Sequence, residues 1–353
     1  MGKTGRKHKA WTFFDVKEGK ITWKKKEKKY DGKKILITGI NGFIGVNLAK
    51  ALYSSGAIVE GTTRNPEKID YLKASGDEEK YTLHTLDIKD FEGVSKLLKE
   101  GNYDYLFHLA SQSDTWKSIS NPFETIQTNL MGTLNILETI RKNNSPIKII
   151  LAGTVRVFYD DRPKSNLAES NEIVHHPYDA SKMSMETIAS SYFKAYHITG
   201  AIAKNTNTYG ENDLNFSRLI PLIMKQTVLD KRIKLKGNGL VKRDFMYIED
   251  AIDGLLKLGK ELGNEEVNGE TFTFATEQLF SIKGLCNQMK QIVDFPLPVE
   301  FDESSAFTDR DQSNLSTYFS EKILGWKAKT TLSEGLKKTY NWYYSYLSGG
   351  NPK

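Results

Sequence analysis

Residues 33–45, Lys-Lys-Ile-Leu-Ile-Thr-Gly-Ile-Asn-Gly-Phe-Ile-Gly, constrain this chain more than any other stretch. Ile35 to Thr38 read as a short buried strand, and the apolar run from Val46 to Leu52 reads as a helix. The three glycines between and after them have separate uses. Gly39 permits a tight turn, Gly42 lets backbone come close to a ligand, and Gly45 lets the helix lie against the strand. The start of the helix then offers free N–H groups and a positive dipole end to a pyrophosphate. The spacing G-x-x-G-x-x-G departs from the ordinary G-x-G-x-x-G, and taken alone the loop is also compatible with a plain structural turn.

Beyond the loop, strand and helix keep alternating. Strands are expected at 57–63, 81–86, 103–110, 147–152 and 201–203, with helices near 91–99, 122–142 and 178–197 between them. Strands alternating with helices imply an α/β fold, a doubly wound parallel sheet of Rossmann type covered on both faces, with right-handed crossovers. Ligands bind such sheets beyond the carboxyl ends of the strands. After about residue 210 the pattern loosens. Strands are expected at 232–235 and 270–274, and helices at 250–257, 281–293 and 332–346, which reads as a smaller mixed α/β lobe. The expected division is a basic extension over 1–31, a dinucleotide-binding domain over 32–210 and a substrate lobe over 211–353, with a strand or helix of the lobe free to return to the first domain.

The net charge of +6 is unevenly placed. Residues 1–30 hold eleven Lys and Arg against Asp15, Glu18 and Glu27, a balance of +8, so the other 323 residues carry −2. The body is therefore no nucleic-acid binder by charge. The arm 1–30 reads as a solubilising or assembly-related segment, or as a contact for RNA, a membrane surface or another polyanion. Within it, residues 11–16 and 21–23 flank a turn and suggest a hairpin. A single cysteine, Cys286, leaves no internal disulfide and no cysteine-based zinc site, so a reducing, cytoplasmic setting is the simplest reading and no metal is expected. No run of about 18 apolar residues exists to span a bilayer. No secretory leader is expected, and Arg6 stands where a myristoylation signal wants Ser or Thr.

Tyr178-Asp179-Ala180-Ser181-Lys182 places a phenol and an amine one helical turn apart. A nearby ammonium favours phenolate and would bring a pKa near about 10 toward the range of a useful base. By itself the pair is common by chance and reads as a solvated helix face. With the glycine loop upstream it resembles the extended short-chain dehydrogenase/reductase family, in its nucleotide-sugar epimerase and dehydratase branch. The resemblance runs from about Lys33 to Tyr344. It is carried by residues 38–45, Asp87-Ile88, His108-Leu109-Ala110-Ser111, Asn129-Leu130-Met131-Gly132-Thr133, Tyr178 with Lys182, Asn207-Thr208-Tyr209-Gly210, residues 243–250 and Leu324-Gly325-Trp326. Residues 211–221 are most similar to the CDP-glucose 4,6-dehydratase subgroup, and residues 61–65 to GDP-mannose dehydratase.

The resemblance implies roles. Tyr178 as phenolate takes the proton of a sugar hydroxyl, Lys182 lowers the Tyr178 pKa and holds the nicotinamide ribose, and Thr154 bonds the reacting oxygen. Cofactor contacts fall to Gly39, Asn41, Gly42, Phe43, Ile44, Gly45, Arg64, Asp87, Ile88, Leu109, Ala110, Ser111 and Asn129. Substrate contacts fall to Ser113, Arg156, Asn207 and Arg243, the last meeting the pyrophosphate, with Arg218 and Arg310 either at the nucleotide end or in surface salt bridges. The reaction implied is oxidation at C4 of a nucleotide-diphosphate hexose with a retained NAD(P). Gly61-Thr62-Thr63-Arg64-Asn65 has no acid for a ribose 2′-hydroxyl, which favours NADP over NAD; in an NAD enzyme Arg64 would instead stack on adenine.

One departure matters. Sugar 4,6-dehydratases carry acids directly after the Ser/Thr, and this chain has Val155 and Arg156. Arg156 is not deprotonated at working pH. Epimerase or keto-sugar reductase chemistry is thereby favoured over dehydration, which would need His175, His176 or Asp114 as a displaced acid or base. A homodimer through helices 122–142 and 178–197 is the family's usual assembly. The rival from another class is a non-catalytic cofactor-sensing protein, although such proteins often lose the Tyr or Lys kept here.

Overall fold

The computed structural model describes residues 11–17, 20–25, 29–158, 176–293, 295–304, 312 and 315–349. A seven-stranded sheet organises it. Its strands run, from one edge to the other, Thr271–Phe274, Gly200–Asn205, Lys148–Ala152, Tyr105–His108, Lys34–Thr38, Ile58–Thr63 and Thr82–Thr85, and all neighbours are parallel. Alternate residues of each central strand enter different cores, as the period of two demands. Ile35, Ile37, Phe107 and Ile150 face one apolar cluster, while Leu36, Leu106, Ile149 and Leu151 face the other. Helices Phe43–Ser54 and Ile248–Glu261 cover the first face. Helices Phe91–Gly101, Gly132–Lys142 and Pro177–Ala195 cover the second.

The polypeptide does not divide cleanly at residue 210. Thr271–Phe274 pairs with Gly200–Asn205, and the helix Ile248–Glu261 packs on the glycine-loop helix and on the central strands. The chain after residue 206 also builds a three-stranded sheet, Leu279–Ser281, Lys242–Tyr247 and Asn207–Tyr209, and a parallel pair, Ile233–Lys236 with Val299–Asp302. Parallel pairing sets Phe245 opposite Asn207, so Asn207 and Arg243 lie near the same end of two adjacent strands.

The segment 122–142 is helical throughout but irregular. Pro122–Ile126 is α, Gln127–Met131 is a π-turn, and Gly132–Lys142 is α again. Asn121 caps its start by accepting from the Glu124 amide, and Pro122 occupies the first turn, where its missing N–H is harmless. Trp11–Lys17 and Lys20–Lys25 pair as an antiparallel hairpin. Among the described residues no helix is long and apolar enough to cross a membrane.

Candidate active site

The carboxyl ends of the central strands open into a cavity of about 1100 Å³. The glycine loop forms one wall. Gly39 has φ +72°, and a Cβ there would lie 2.9 Å from the Ala110 Cα, so only glycine lets the first and fourth expected strands converge. A Cβ on Gly45 would lie 2.4 Å from the Gly39 carbonyl oxygen. The helix Phe43–Ser54 has no side-chain cap and no acid in its first turn. Its terminal N–H groups and dipole are thus left to an anion from the cavity.

Most residues singled out in the sequence meet on this wall. Gly39, Asn41, Gly42, Phe43, Ile44, Gly45, Arg64, Ile88, Leu109, Ala110 and Ser111 line the cavity on the loop side. Ser113, Thr154, Arg156, Tyr178, Asn207, Arg218 and Arg243 line it on the side facing the second lobe. Asn41 gives its amide to the Lys68 carbonyl and accepts from the Leu72 amide, so its side chain staples the loop to the next segment. Arg64 is 3.8 Å from Glu124. Arg218 pairs with the buried Asp213 at 3.2 Å, and burial pushes the Asp213 carboxyl up against that pairing. Arg218 is also 6.0 Å from the Phe43 ring centroid.

Asp87, Asn129 and Lys182 are not among the residues lining the cavity. Asp87 is turned to its own loop, accepting from the Lys89 amide at 3.0 Å, while its neighbours Leu86 and Ile88 face the cavity. Asn129 is fully buried, bonded to both backbone groups of Gln112 and to the Ser181 hydroxyl. Lys182 is buried too, and its amine donates to the Ala152 carbonyl. Arg310 and His175 lie outside the described residues. Asp114 caps a short helix through the Lys117 amide and is not among the cavity residues, and His176 precedes the Tyr178 helix as its cap residue.

The phenol–amine expectation needs correcting in its electrostatics. Burial pushes the Tyr178 pKa up, not down. The Thr154 hydroxyl and then the Arg156 charge oppose that rise. The Lys182 amine is turned to the Ala152 carbonyl. Burial in turn lowers the Lys182 pKa to about 8, with Glu186 opposing. Arg156 reaches back to Asp179 at 3.0 Å, beside Tyr178.

The sequence reading missed Thr128. Its hydroxyl is buried, lacks a hydrogen-bond partner and lies on the cavity wall. Thr128 faces the cavity from the π-turn Gln127–Met131, while its neighbour Asn129 bonds inward. The only hint in the sequence was its place directly before Asn129. Trp116 and Lys236, which line the cavity with the Lys236 amine 5.4 Å from the Trp116 ring centroid, were also missed.

A glycine turn at the carboxyl edge of a seven-stranded parallel sheet, over a cavity holding Tyr178 and Thr154, defines an NAD(P)-dependent oxidoreductase of the short-chain dehydrogenase/reductase class. A family model described as GDP-mannose 4,6 dehydratase matches residues 36–339. The chain belongs to that family, among the extended nucleotide-sugar epimerases and dehydratases. An uncharacterised protein of Methanocaldococcus jannaschii is 30% identical over 329 residues, covering 88% of this chain and 96% of its own length. A UDP-glucuronate 4-epimerase of Thermodesulfobacterium geofontis is 26% identical, covering 87% of this chain and 95% of that protein. A dTDP-glucose 4,6-dehydratase of Escherichia coli is 27% identical, covering 88% and 92%. Among solved structures, the UDP-glucose 4-epimerase of Thermotoga maritima, with UDP-glucose, shares the fold at a TM-score of 0.76 and 24% identity, over 89% of this chain and 99% of that one. The dTDP-glucose 4,6-dehydratase of Bacillus anthracis, in complex with NAD, does so at 0.75 and 22%, over 88% and 96%.

Proposed function

We propose that the protein oxidises C4 of the hexose of a nucleotide-diphosphate sugar with a retained NAD(P), and that its chemistry is of the epimerase or keto-sugar reductase type. The observation that carries the reading is that Tyr178 and Thr154 line the same cavity as the glycine loop. The residues present fit a dinucleotide. Gly39 to Gly45 take the pyrophosphate at the bare helix start, Thr128 offers an unpaired hydroxyl, and the end of the strand Ile58–Thr63 carries Arg64. Thr62, Thr63 and Arg64 suit the 2′-phosphate of NADP. A nicotinamide ring supplies the hydride acceptor when bound.

Tyr178 takes the proton of the C4 hydroxyl, and Thr154 holds that oxygen in line with the phenol. Arg243 and Arg218 meet the sugar's diphosphate with permanent charge. Lys182 fixes the end of the strand Lys148–Ala152 that carries Thr154. Epimerisation asks for no further acid, since the keto sugar need only turn and be reduced from its other face. Val155 and Arg156 follow Thr154 on the wall, and among the described cavity residues the one carboxyl group, Asp213, is tied to Arg218. That arrangement supports epimerisation over loss of water. A homodimer and a reducing, cytoplasmic setting belong to the same proposal.

Incubation with UDP-, GDP-, CDP- and dTDP-hexoses, each with NAD or NADP, tests it by mass spectrometry and proton NMR. The expected product has unchanged mass and altered sugar couplings. A product lighter by one water would replace the epimerase reading with a dehydratase. Tyr178→Phe is expected to lower turnover by roughly 10²–10⁴-fold; near-normal turnover would remove Tyr178 from the chemistry.

A further inference from the structure

One turn beyond Lys182 and two beyond Tyr178, the same helix presents Glu186 to the interior. Its carboxylate joins three elements. One oxygen accepts from the Thr154 amide at 2.8 Å, at the end of the strand Lys148–Ala152. The other is 2.7 Å from the Lys204 amine on the strand Gly200–Asn205. Both side chains are more than nine-tenths buried. The approach requires Gly153, because a Cβ there would lie 2.6 Å from the Glu186 oxygen and 2.9 Å from Ile202. A buried ion pair is weak evidence for stability, since an apolar pair of similar volume is often as stable. Its placement is more telling than its energy. It fixes the peptide that carries Thr154, and Thr154 lines the cavity together with Tyr178.

We infer that Glu186, held by Lys204, is a positioning residue that aims the Thr154 hydroxyl at Tyr178, a role that rests on the reading of Tyr178 and Thr154 as the reacting pair. The carboxylate touches no ligand in this arrangement. It acts through the Gly153–Thr154 peptide, which has no side chain at Gly153 to hold it otherwise. The same charge opposes the burial that lowers the Lys182 ammonium, so a single carboxylate supports two members of the Tyr–Lys–Thr set.

The test uses the full chain with bound NAD(P) and a double variant, Glu186→Leu with Lys204→Met, which removes the pin without stranding a charge. Tyrosines are labelled with carbon-13 at Cζ, and Tyr178→Phe assigns the Tyr178 signal. The expected double variant keeps its thermal midpoint within a few degrees, yet its Tyr178 signal moves as the Thr154 hydroxyl is released. On the nucleotide sugar that proves active, kcat is expected to fall about tenfold, the worth of one hydrogen bond, with KM within about twofold. A folded double variant with an unmoved Tyr178 signal overturns the inference. Glu186→Gln keeps the oxygen that accepts from the Thr154 amide, and is expected to leave the Tyr178 signal in place; a displaced signal there also overturns it, and decides the matter if the double variant does not fold. The NMR arm needs no turnover, so failure of the positioning role is distinguishable from failure of the proposed reaction, which Tyr178→Phe decides.

Discussion

His108 closes the strand Tyr105–His108 with both ring nitrogens engaged, Nδ1 with the Thr38 hydroxyl at 2.7 Å and Nε2 with the Thr133 hydroxyl at 2.9 Å. Burial, and next the Lys182 charge, hold its pKa down at about 3. The unfolded chain takes up that proton near pH 6.5. Below about 6.5 the unfolded state therefore binds a proton that the folded state refuses, and stability is lost as pH falls from about 6.5 toward about 3. The slope from this group approaches about 1.4 kcal/mol per pH unit. Carboxylates held low, such as Glu138 at about 2 by Arg141, withdraw their contribution only at more acid pH. Urea unfolding between pH 7 and 5 should thus show a falling stability that His108→Asn flattens; an unchanged slope in the variant would acquit the imidazole. At this scale the sequence was partly readable. Residue types with one plausible use, the loop glycines, Tyr178 and Thr154, came together on the wall. Lys182, Asp87 and Asn129 were chosen for the same site, but which neighbour a long or amide side chain bonds is decided by tertiary space, and spacing along the chain carries no record of it.

At the level of elements, the central strands Lys34–Thr38, Tyr105–His108 and Lys148–Ala152 were legible because each is a short, largely apolar run. The strands Asn207–Tyr209 and Leu279–Ser281 were not, since three residues hold a strand only when a partner supplies the ladder. The π-turn at Gln127–Met131, which carries Thr128, also left no periodic trace. The strand–loop–helix unit makes a sharper claim. Gly45→Ala would drive a methyl group to within 2.4 Å of the Gly39 carbonyl, and both partners are backbone. The helix Phe43–Ser54 must shift away from its strand. A loss of roughly 1–3 kcal/mol in unfolding free energy is expected, together with NAD(P) binding weakened by about tenfold or more. Fluorescence titration with NADH and NADPH measures the second effect, and wild-type affinity in a destabilised variant would show that the loop does not hold the diphosphate.

Across the whole molecule, two surfaces remain to be accounted for. Helix 122–126 and its neighbour 115–120 expose Phe123, Ile126, Trp116 and Ile119, with Phe123 70% exposed. Phe123, Ile126 and the exposed Met131, all on the helical segment 122–142, suit the proposed paired-helix dimer. Sedimentation is expected to give a dimer, and Phe123→Asp a monomer; a wild-type monomer at micromolar concentration would refute the assembly. The basic arm joins at the opposite pole. Tyr30 is buried, its hydroxyl donating to the Leu256 carbonyl and its ring edge-on to Tyr105 at 5.3 Å, beside the amino ends of the strands. The cavity opens at the carboxyl ends. Removing residues 1–28 should therefore leave kcat and KM within about twofold, while Tyr30 stays to plug the core. A large change in either constant would mean that the arm reaches the cavity. The arm's charge was plain in the composition, but its point of departure could only be learned from where Tyr30 is inserted.

Thr271–Phe274 is the outermost strand of the sheet that begins at the glycine loop, although more than two hundred residues separate the two. The ladder it forms with Gly200–Asn205 welds late chain to early chain, so admission of a sugar nucleotide must flex the loops around a stiff spine and cannot swing one half away from the other. A polypeptide stopped after Gly210 would present the bare rim of Gly200–Asn205 to its neighbours and should precipitate on expression. The cofactor half of this molecule is finished only when ribosomes have made most of the other.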